Sequence, residues 1–208
     1  MSTDTSRQVH AVHRATPAES AVALEILATA FMEDPISMWI FPDKDERARK
    51  HPDFFGIFMA VAMTAGEVYL TDDHSGVAVW LDVDPAVTES PAERAEFRGA
   101  FERALGPTAG GRFLLLDDLM SANHPGHAPH AYMPFIGVLP RAQDTGVGTA
   151  LLRHPTSELQ AAGRAAYLEA SSPDNLRLYR RLGFEPVGPG VEIPDGPTFF
   201  PMWRRPQP

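Results

Sequence analysis

Cysteine is missing from this sequence of 208 residues. Its absence excludes disulfides, thiolate zinc sites, iron–sulfur clusters and a cysteine nucleophile. Basic residues are also scarce, because 18 lysines and arginines stand against 27 aspartates and glutamates and give a net charge of −9. This charge repels both a nucleic-acid backbone and an anionic lipid surface, so we expect neither nucleic acid nor membrane as a partner.

Long apolar runs are absent as well. The longest nearly continuous one, from Phe54 to Met63, is well short of the roughly 18–20 residues that a membrane span needs. The N-terminal MSTDTSRQVH does not show the pattern of a secretory signal, which is a basic segment followed by an apolar stretch and a cleavage site. We therefore expect a cytoplasmic protein.

The composition is that of a globular protein. Apolar residues make up 44% of the chain and charged residues 22%, both close to the usual averages. The length fits one compact core. We expect a single domain over 1–208.

The order of apolar and turn residues predicts a mixed α/β fold with helices on both faces of one twisted sheet. Two segments, 16–19 and 90–93, have the form of a capping box with proline at the first helical position. Strands are predicted over 8–14, 67–71, 77–81, 131–138, 166–170, 184–187 and 198–203. Helices are predicted over 17–32, 43–65 with an interruption near His51-Pro52, 91–105 followed by a break over 106–111, 112–121, 146–162 and 173–182, with loops over 34–43 and 122–130.

A strand, a turn and a helix follow one another in FIGVLPRAQDTGVGTALL, residues 135–152. Gly146 and Gly148 open the helix directly after the strand, so free backbone N–H groups and the positive helix end meet at one point. A diphosphate fits there. The lysine of a Walker turn is missing, and the glycine fingerprint of a dinucleotide-binding fold does not fit either.

Two blocks of sequence carry a family resemblance. The motif Gln-x-x-Gly-x-Gly over 143–148 follows an apolar strand that ends in VLP, and with it the chain resembles the GNAT superfamily of acyl-CoA-dependent N-acyltransferases. The second block, YLEASSPDNLRLYRRLGFEPVG over 167–188, is similar to that family's next strand, helix and strand. The segments AFMEDP, GVAVW and IPDGPTFFPMW resemble a bacterial subgroup that includes puromycin N-acetyltransferase, and 94–129 is matched least.

The resemblance implies the GNAT fold, in which a central, mostly antiparallel sheet splays between strands 131–138 and 166–170 and opens a slot for acetyl-CoA. In this fold the backbone of the first strand pairs with the pantetheine arm and polarises the thioester carbonyl. The implied donor-binding residues are Ile136, Gly137 and Val138 on that strand, Gln143, Asp144, Thr145, Gly146, Val147, Gly148 and Thr149 around the diphosphate, and Asn175 beside the pantetheine. Tyr179 is expected near the sulfur, where it donates a proton to the leaving thiolate.

The general base has several candidates. By the family resemblance Glu169 faces the slot, His130 lies at the mouth of the preceding strand, and a chain of water molecules is the third possibility. His124, His127 and His130 are spaced three apart in a loop, which suggests a metal site. With no helical geometry and no obvious fourth ligand, lining of the acceptor pocket is favoured, and we expect no metal.

The acceptor pocket is expected between the first helices and the loop 34–43. Trp39, Phe41, Phe54 and Phe58 could form aromatic walls around an amine, with Asp34 as its carboxylate partner and Tyr132 as a further lining residue. The alternative is that these residues are ordinary core and a helix stop. The net charge of −9 favours a cationic amine.

The chain departs from the family pattern at Asp144 and Thr145, where many members have a glycine and a basic residue. The function implied by the resemblance is acetyl-CoA-dependent N-acetylation of a small amine, such as an aminonucleoside or a related toxic metabolite, by a monomer or homodimer. Two alternatives stay open: an acyltransferase that uses a longer acyl-CoA or a carrier-protein thioester, and a catalytically quiet member that only binds its ligand.

Overall fold

A computed structural model describes residues 10–206 of the protein. Over this range seven α-helices and eight strands follow one another along the chain. The strands are β1 (Val12–Arg14), β2 (Gly66–Thr71), β3 (Gly76–Val83), β4 (His130–Val138), β5 (Ala165–Ala170), β6 (Glu185–Pro186), β7 (Val191–Glu192) and β8 (Thr198–Arg204). The helices are α1 (Ser20–Ala30), α2 (Pro35–Ile40), α3 (Lys44–Ala65), α4 (Pro91–Leu105), α5 (Pro107–Asn123), α6 (Val147–Ala161) and α7 (Pro173–Arg181). None of these helices has the length and apolar character that crossing a membrane requires.

The strands form one mixed sheet in the order β1-β2-β3-β4-β5-β8-β6, with β7 paired to β8. Every neighbouring pair is antiparallel except β4 and β5, which run parallel. Side chains that alternate along β2 and β3 pack against α1 and α3 on one face and against α6 on the other. The predicted mixed α/β fold with helices on both faces is confirmed.

The parallel pair β4 and β5 separates part of the way along. Residues 130–133 pair in register with 165–168, and no further pair joins the two strands. Separation begins at Pro134, which has no backbone N–H to offer a neighbour. On its other side β4 stays paired with β3 as far as Val138. One edge of β4 is therefore left without a strand partner over 134–138.

Two helix starts follow the local sequence. Glu19 accepts from the Thr16 backbone N–H at 2.8 Å, and the Ser90 Oγ accepts from the Glu93 N–H at 3.2 Å while Glu93 accepts in return from Ser90. Both predicted capping boxes are confirmed. A short 3-10 turn separates the first box from α1, so α1 starts a few residues later than predicted.

The predicted interruption near His51-Pro52 is wrong, because α3 runs through Pro52. A proline inside a helix removes one backbone hydrogen bond. Tertiary contacts hold the helix here, since the fully buried His51 donates from Nδ1 to the Ala28 carbonyl at 2.8 Å and bonds through Nε2 to the Ser37 hydroxyl at 2.6 Å. The predicted loop 34–43 is also wrong in part, because Asp34 caps α2 there.

The predicted break over 106–111 is limited to Gly106, whose φ of +80° separates α4 from α5. Gly110 lies inside α5, where an added Cβ would come within 3.3 Å of the Glu102 Cα. Close packing of α4 on α5 therefore accounts for that glycine. Strand β7 was not anticipated from the sequence. Of the predicted strand 8–14, the structure has 12–14 in β1, and Gln8 and Val9 lie outside the described residues.

Candidate active site

A glycine-rich turn joins β4 to α6. Gly146 has a φ of +102°, in the left-handed region that glycine adopts without strain, and α6 begins at the next residue. The first hydrogen bond of the helix runs from the Ala150 N–H to the Gly146 carbonyl at 3.0 Å. The amides of 147–149 therefore have no partner inside the helix, and together with the positive helix end they favour an anion.

Hydrogen bonds to backbone carbonyls hold two side chains of this turn in place. Gln143 donates from Nε2 to the Val138 carbonyl at 3.4 Å, and Thr145 donates from Oγ1 to the Ala142 carbonyl at 2.7 Å. Asp144 is exposed and has a φ of +62°, a conformation that aspartate tolerates better than most residues. Its carboxylate is the one negative side chain of the turn 143–149.

The start of α6 lies close to its neighbours. Val147 is only 1% exposed and packs in the core, so it can offer a ligand its backbone N–H but not its side chain. An added Cβ on Gly148 would meet Leu178 of α7 at 3.4 Å and Val138 at 3.7 Å. The start of α6 therefore lies close to both β4 and α7.

A cleft of about 1910 Å³ extends from this turn along the unpaired edge of β4. It continues past α7 and reaches the side chains of α2, α3 and α5. Among the predicted donor-binding residues, those that line it are Ile136, Gly137, Val138, Gln143, Asp144, Thr145, Gly146, Gly148, Thr149, Asn175 and Tyr179. Val147 is the exception, because its side chain points into the core.

Tyr179 is buried on the face of α7 toward the cleft, with 5% of its surface exposed. Burial raises the pKa of its hydroxyl well above the usual 10, and the carboxylate of Asp34 raises it further. The phenol therefore holds its proton at neutral pH and is able to donate it. One turn earlier, Asn175 donates from Nδ2 to the Ser171 hydroxyl at 3.4 Å.

Asp34 lies at the N-terminus of α2 and lines the cleft. Its Oδ1 accepts from the backbone N–H groups of Ile36 and Ser37, both at 3.0 Å. Burial raises the pKa of this carboxyl, although hydrogen bonding from Ser171 and the two amides acts in the opposite direction. Its capping role fixes the side chain where a cation in the cleft can meet it.

Glu169 projects from β5 into the same cleft, and its side chain is 2% exposed. Burial raises the pKa of the carboxyl to about 7, while the hydroxyls of Tyr132 and Tyr167 lower it in part. Within residues 10–206 neither carboxylate oxygen has a hydrogen-bond partner of good geometry. A carboxyl with a pKa near 7 exchanges protons readily near neutral pH.

The three histidines of the loop before β4 have different environments. His124 lines the cleft, His130 is fully buried outside it, and His127 is exposed with its ring 4.8 Å from that of Trp203. No group of side chains in the described range is arranged to hold a metal ion. His130, predicted as a candidate base, is not among the residues that line the cleft; it is fully buried at the start of β4, where its ring packs against those of Tyr167 and Trp203.

Aromatic rings from α3 and β4 line part of the cleft. Phe54 and Phe58 of α3 line the cleft, and the Phe58 ring lies 4.8 Å from that of Phe135 on β4. Phe41 is a core residue at 1% exposed. Trp39 lies outside the cleft, where its carbonyl accepts from Arg112 Nη1 at 2.8 Å and its indole packs on the loop at Gly196.

Helices α4 and α5 close the far side of the cleft. Asp117 of α5 has a side chain that is 17% exposed and lies 2.6 Å from the guanidinium of Arg94. A second carboxylate that lines the cleft, that of Glu89, lies 3.8 Å from the guanidinium of Arg94. The other lining residues from α4 and α5 are Phe97, Phe113, Leu116, Met120 and Ser121.

The glycine turn, the divided strands and the cleft between them match a known family. The profile of the acetyltransferase (GNAT) family matches residues 79–184, half of the chain. The chain belongs to the GNAT acetyltransferase family.

Solved structures show the same fold over nearly the whole chain. A Corynebacterium glutamicum protein described as histone acetyltransferase HPA2 and related acetyltransferase is 27% identical, with a TM-score of 0.73 over 96% of this chain and 98% of that one. Arylalkylamine N-acetyltransferase 2 from Aedes aegypti is 12% identical, with a TM-score of 0.68 over 96% and 100% of the two chains. Polyamine N-acetyltransferase from Drosophila melanogaster, which forms N-acetylagmatine, is 14% identical, with a TM-score of 0.61 over 94% and 99%. The predicted GNAT fold is confirmed.

Part of the GNAT cleft was missed by reasoning from the sequence. Asp117 and Phe113 line the cleft but were not named, and both lie in the segment that the family resemblance covers least, whereas His124 was expected to line the acceptor pocket. The apolar periodicity of α5 was the available signal for Phe113, since it predicts a buried face. No local signal marks Asp117, because a carboxylate between apolar neighbours is ordinary on a helix.

Proposed function

We propose that the protein transfers an acetyl group from acetyl-CoA to the amine of a small cationic molecule. The observation that carries the proposal is the buried Glu169 carboxyl, with a pKa of about 7, in the same cleft as the unpaired edge of β4 and the free amides of α6. The Glu169 carboxyl suits a general base. The unpaired edge of β4 and the free amides of α6 suit a thioester donor that carries a diphosphate.

The donor fits the residues at one end of the cleft. The free amides of 147–149 and the turn from Gln143 would hold the diphosphate, and the edge of β4 at 136–138 would pair with the pantetheine arm. Asn175 would contact that arm from α7. Acetyl-CoA, when bound, supplies the thioester carbon that the amine attacks.

Two groups of the protein, Glu169 and Tyr179, transfer protons during the reaction. Glu169 takes one proton from the substrate ammonium and leaves a free amine, which forms the new C–N bond as the C–S bond breaks. Tyr179 gives its phenol proton to the departing sulfur and regains one from the acylated nitrogen. Asp34 holds the ammonium before the transfer. The net release is one proton, which Glu169 returns to solvent.

The acceptor end of the cleft favours an amine with an apolar body. The rings of Phe54, Phe58 and Phe135 suit an apolar or aromatic group in the substrate. The carboxylates of Asp34 and Glu169 suit its positive charge. Arg94 is already paired with Asp117 at 2.6 Å and adds little positive potential. Both insect neighbours named above carry amine substrates in their names, which agrees with an amine acceptor here.

Donor length and catalytic competence test this proposal against its alternatives. We expect saturable binding of acetyl-CoA by calorimetry and amine-stimulated thiol release that falls as the acyl chain lengthens. Faster release from longer acyl-CoAs would favour the alternative donor. Binding without release under any amine would favour a catalytically quiet member.

The remaining details extend the same proposal. Resemblance of AFMEDP, GVAVW and IPDGPTFFPMW to the puromycin N-acetyltransferase subgroup supports an acceptor of the antibiotic or toxic-metabolite class, and with it a bacterial, cytoplasmic resistance enzyme. We also propose a single domain that works as a monomer or homodimer.

Removal of the negative charge at Asp144 is expected to tighten CoA binding. An exposed charge next to a diphosphate costs on the order of 1 kcal/mol and is screened by salt. Asp144→Asn should therefore bind CoA up to about tenfold more tightly at low salt, with the gain shrinking as ionic strength rises. Calorimetric titration at two salt concentrations measures this.

Asp144→Gly separates charge from backbone conformation. Both asparagine and glycine accept the φ of +62° at this position. Glycine also clears the side chain, so any gain beyond that of asparagine should persist at high salt. If neither variant changes affinity while Gly146→Asp abolishes binding, Asp144 points away from the ligand. If Gly146→Asp also binds normally, the turn does not hold the diphosphate.

A further inference from the structure

His124 connects the last residues of α5 to the base. It follows Asn123 directly, and its ring lies 4.5 Å from that of Tyr167. Its Nε2 is 2.9 Å from Nε2 of His130, and its Nδ1 is 3.9 Å from Oε1 of Glu169. The side chain is 22% exposed, and the ring lines the cleft.

The proton positions on both imidazoles follow from their partners. His130 Nδ1 lies 2.9 Å from the Ala128 carbonyl, which can only accept, so this nitrogen carries the hydrogen. Burial lowers the pKa of His130, which is therefore neutral at pH 7 with a bare Nε2. His124 Nε2 must then be the donor between the two rings. Burial, with His130 adding to it, lowers the pKa of His124 to about 4, so this ring is neutral as well and its Nδ1 is bare.

Nδ1 of His124, which carries no hydrogen, therefore faces the carboxyl of Glu169. When Glu169 is ionised, two acceptors oppose each other across 3.9 Å, beyond hydrogen-bond distance. When Glu169 is protonated, its O–H is a donor for that nitrogen. A side-chain movement of about 1 Å brings the two atoms to hydrogen-bond distance.

We propose that His124, with its tautomer fixed by His130, is a positioning residue that accepts a hydrogen bond from the protonated Glu169 carboxyl and thereby increases the proton affinity of the base. This inference rests on the proposed function. His124 stays neutral, keeps its hydrogen on Nε2 and takes none from Glu169. Its contribution belongs to the half of the cycle in which Glu169 holds the proton taken from the amine.

The other groups around Glu169 act in the opposite sense. Hydroxyls of Tyr132 on β4 and Tyr167 on β5 stabilise the ionised carboxylate and lower its pKa. Asp117 of α5 acts on Tyr132, and Pro201 opposite Glu169 on β8 brings no titratable group. Among these groups His124 Nδ1 differs in that it can only accept, so it favours the neutral carboxyl and offers the ionised one no hydrogen bond.

Two substitutions of His124 separate its nitrogens. The amide of His124→Gln reaches the position of Nε2, so it keeps a donor toward His130 and removes the acceptor toward Glu169. The shorter amide of His124→Asn occupies the position of Nδ1 and keeps that acceptor. The exposed His127→Gln serves as the control.

The readout is the pKa of the Glu169 carboxyl, followed by carbon-13 NMR of glutamate side chains and assigned with Glu169→Gln. A hydrogen bond to one protonation state changes a pKa by up to about one pH unit. We expect His124→Gln to lower the proton affinity of Glu169 about three- to tenfold, because the protonated form loses its acceptor. His124→Asn and His127→Gln should change it less than about twofold. The acidic limb of kcat/KM should move to lower pH by the same amount in the Gln variant only.

Equal pKa changes in the Gln and Asn variants, or no change in either, would overturn the proposal. Should the Gln variant not fold, His124→Leu takes its place, since leucine also lacks the acceptor. The NMR titration measures the effect of His124 on the pKa of Glu169, and this effect does not depend on whether Glu169 is the base. Full activity of Glu169→Gln together with a shifted carboxyl pKa in His124→Gln would refute the proposed base and leave the interaction standing.

Discussion

Glu169→Gln is expected to lower kcat about 10²- to 10⁴-fold, the usual range for loss of a general base. The amide has nearly the shape of the carboxylate but cannot take a proton from the substrate ammonium. Because the side chain is only 2% exposed, water should replace its action poorly. Acetyl-CoA affinity, measured by calorimetry, should be unchanged, since the donor end of the cleft is untouched.

The proposed base also predicts the direction in which kcat/KM changes with pH. Burial raises the pKa of Glu169 to about 7, so the carboxyl is protonated and inactive as a base below that pH. In the wild-type protein kcat/KM should rise with pH to a plateau above about pH 7, and this limb should vanish in Glu169→Gln. Glu185→Gln, on the exposed strand β6, is the matched control and should behave as wild type. Retention of the limb and of kcat in Glu169→Gln would assign the proton to another base.

Tyr179→Phe should lower kcat by about 10²- to 10⁴-fold with little change in acetyl-CoA affinity. Phenylalanine fills the same buried space and removes only the hydroxyl that gives its proton to the departing sulfur. The raised pKa of Tyr179 keeps that proton in place at neutral pH. Steady-state kinetics with acetyl-CoA and a saturating amine measure the loss.

A better leaving group should reduce this defect. An acetyl thioester of a more acidic thiol needs less proton donation, so the Phe variant should lose less activity with it than with acetyl-CoA. Tyr69→Phe is the control, because Tyr69 is a buried tyrosine outside the cleft that donates to Glu67 at 2.6 Å. If kcat is unchanged in Tyr179→Phe where the chemical step limits the rate, Tyr179 has only a packing role.

The donor end of the cleft could be foreseen from the sequence because its signals are local. Gly146 and Gly148 stand directly between a strand and a helix in the sequence, and in the structure both lie at the start of α6 and line the cleft. Separation of β4 from β5 is not a local property. Its expectation came from the family resemblance, and Pro134 is the single residue in the sequence that marks the point.

The acceptor end depended on contacts that no local pattern encodes. Trp39 was expected in the pocket, yet its indole packs against the distant residue Gly196. Glu169, His130 and a chain of water molecules were all candidates for the base, and only the fold shows that Glu169 lines the cleft while His130 is buried outside it. Tertiary packing also decided the helix through Pro52, which local propensity argued against.

Acetyl transfer from acetyl-CoA to a small amine is tested most directly by measuring thiol and N-acetyl product together. The wild-type protein and Glu169→Gln would be incubated with acetyl-CoA and a panel of small amines, including aromatic amines, diamines and aminonucleosides. The wild type should release thiol and form N-acetyl amine in equal amounts with at least one cationic amine of apolar body, and Glu169→Gln should lose both. Thiol release no faster than hydrolysis with every amine, in a wild-type protein that binds acetyl-CoA, would contradict the account.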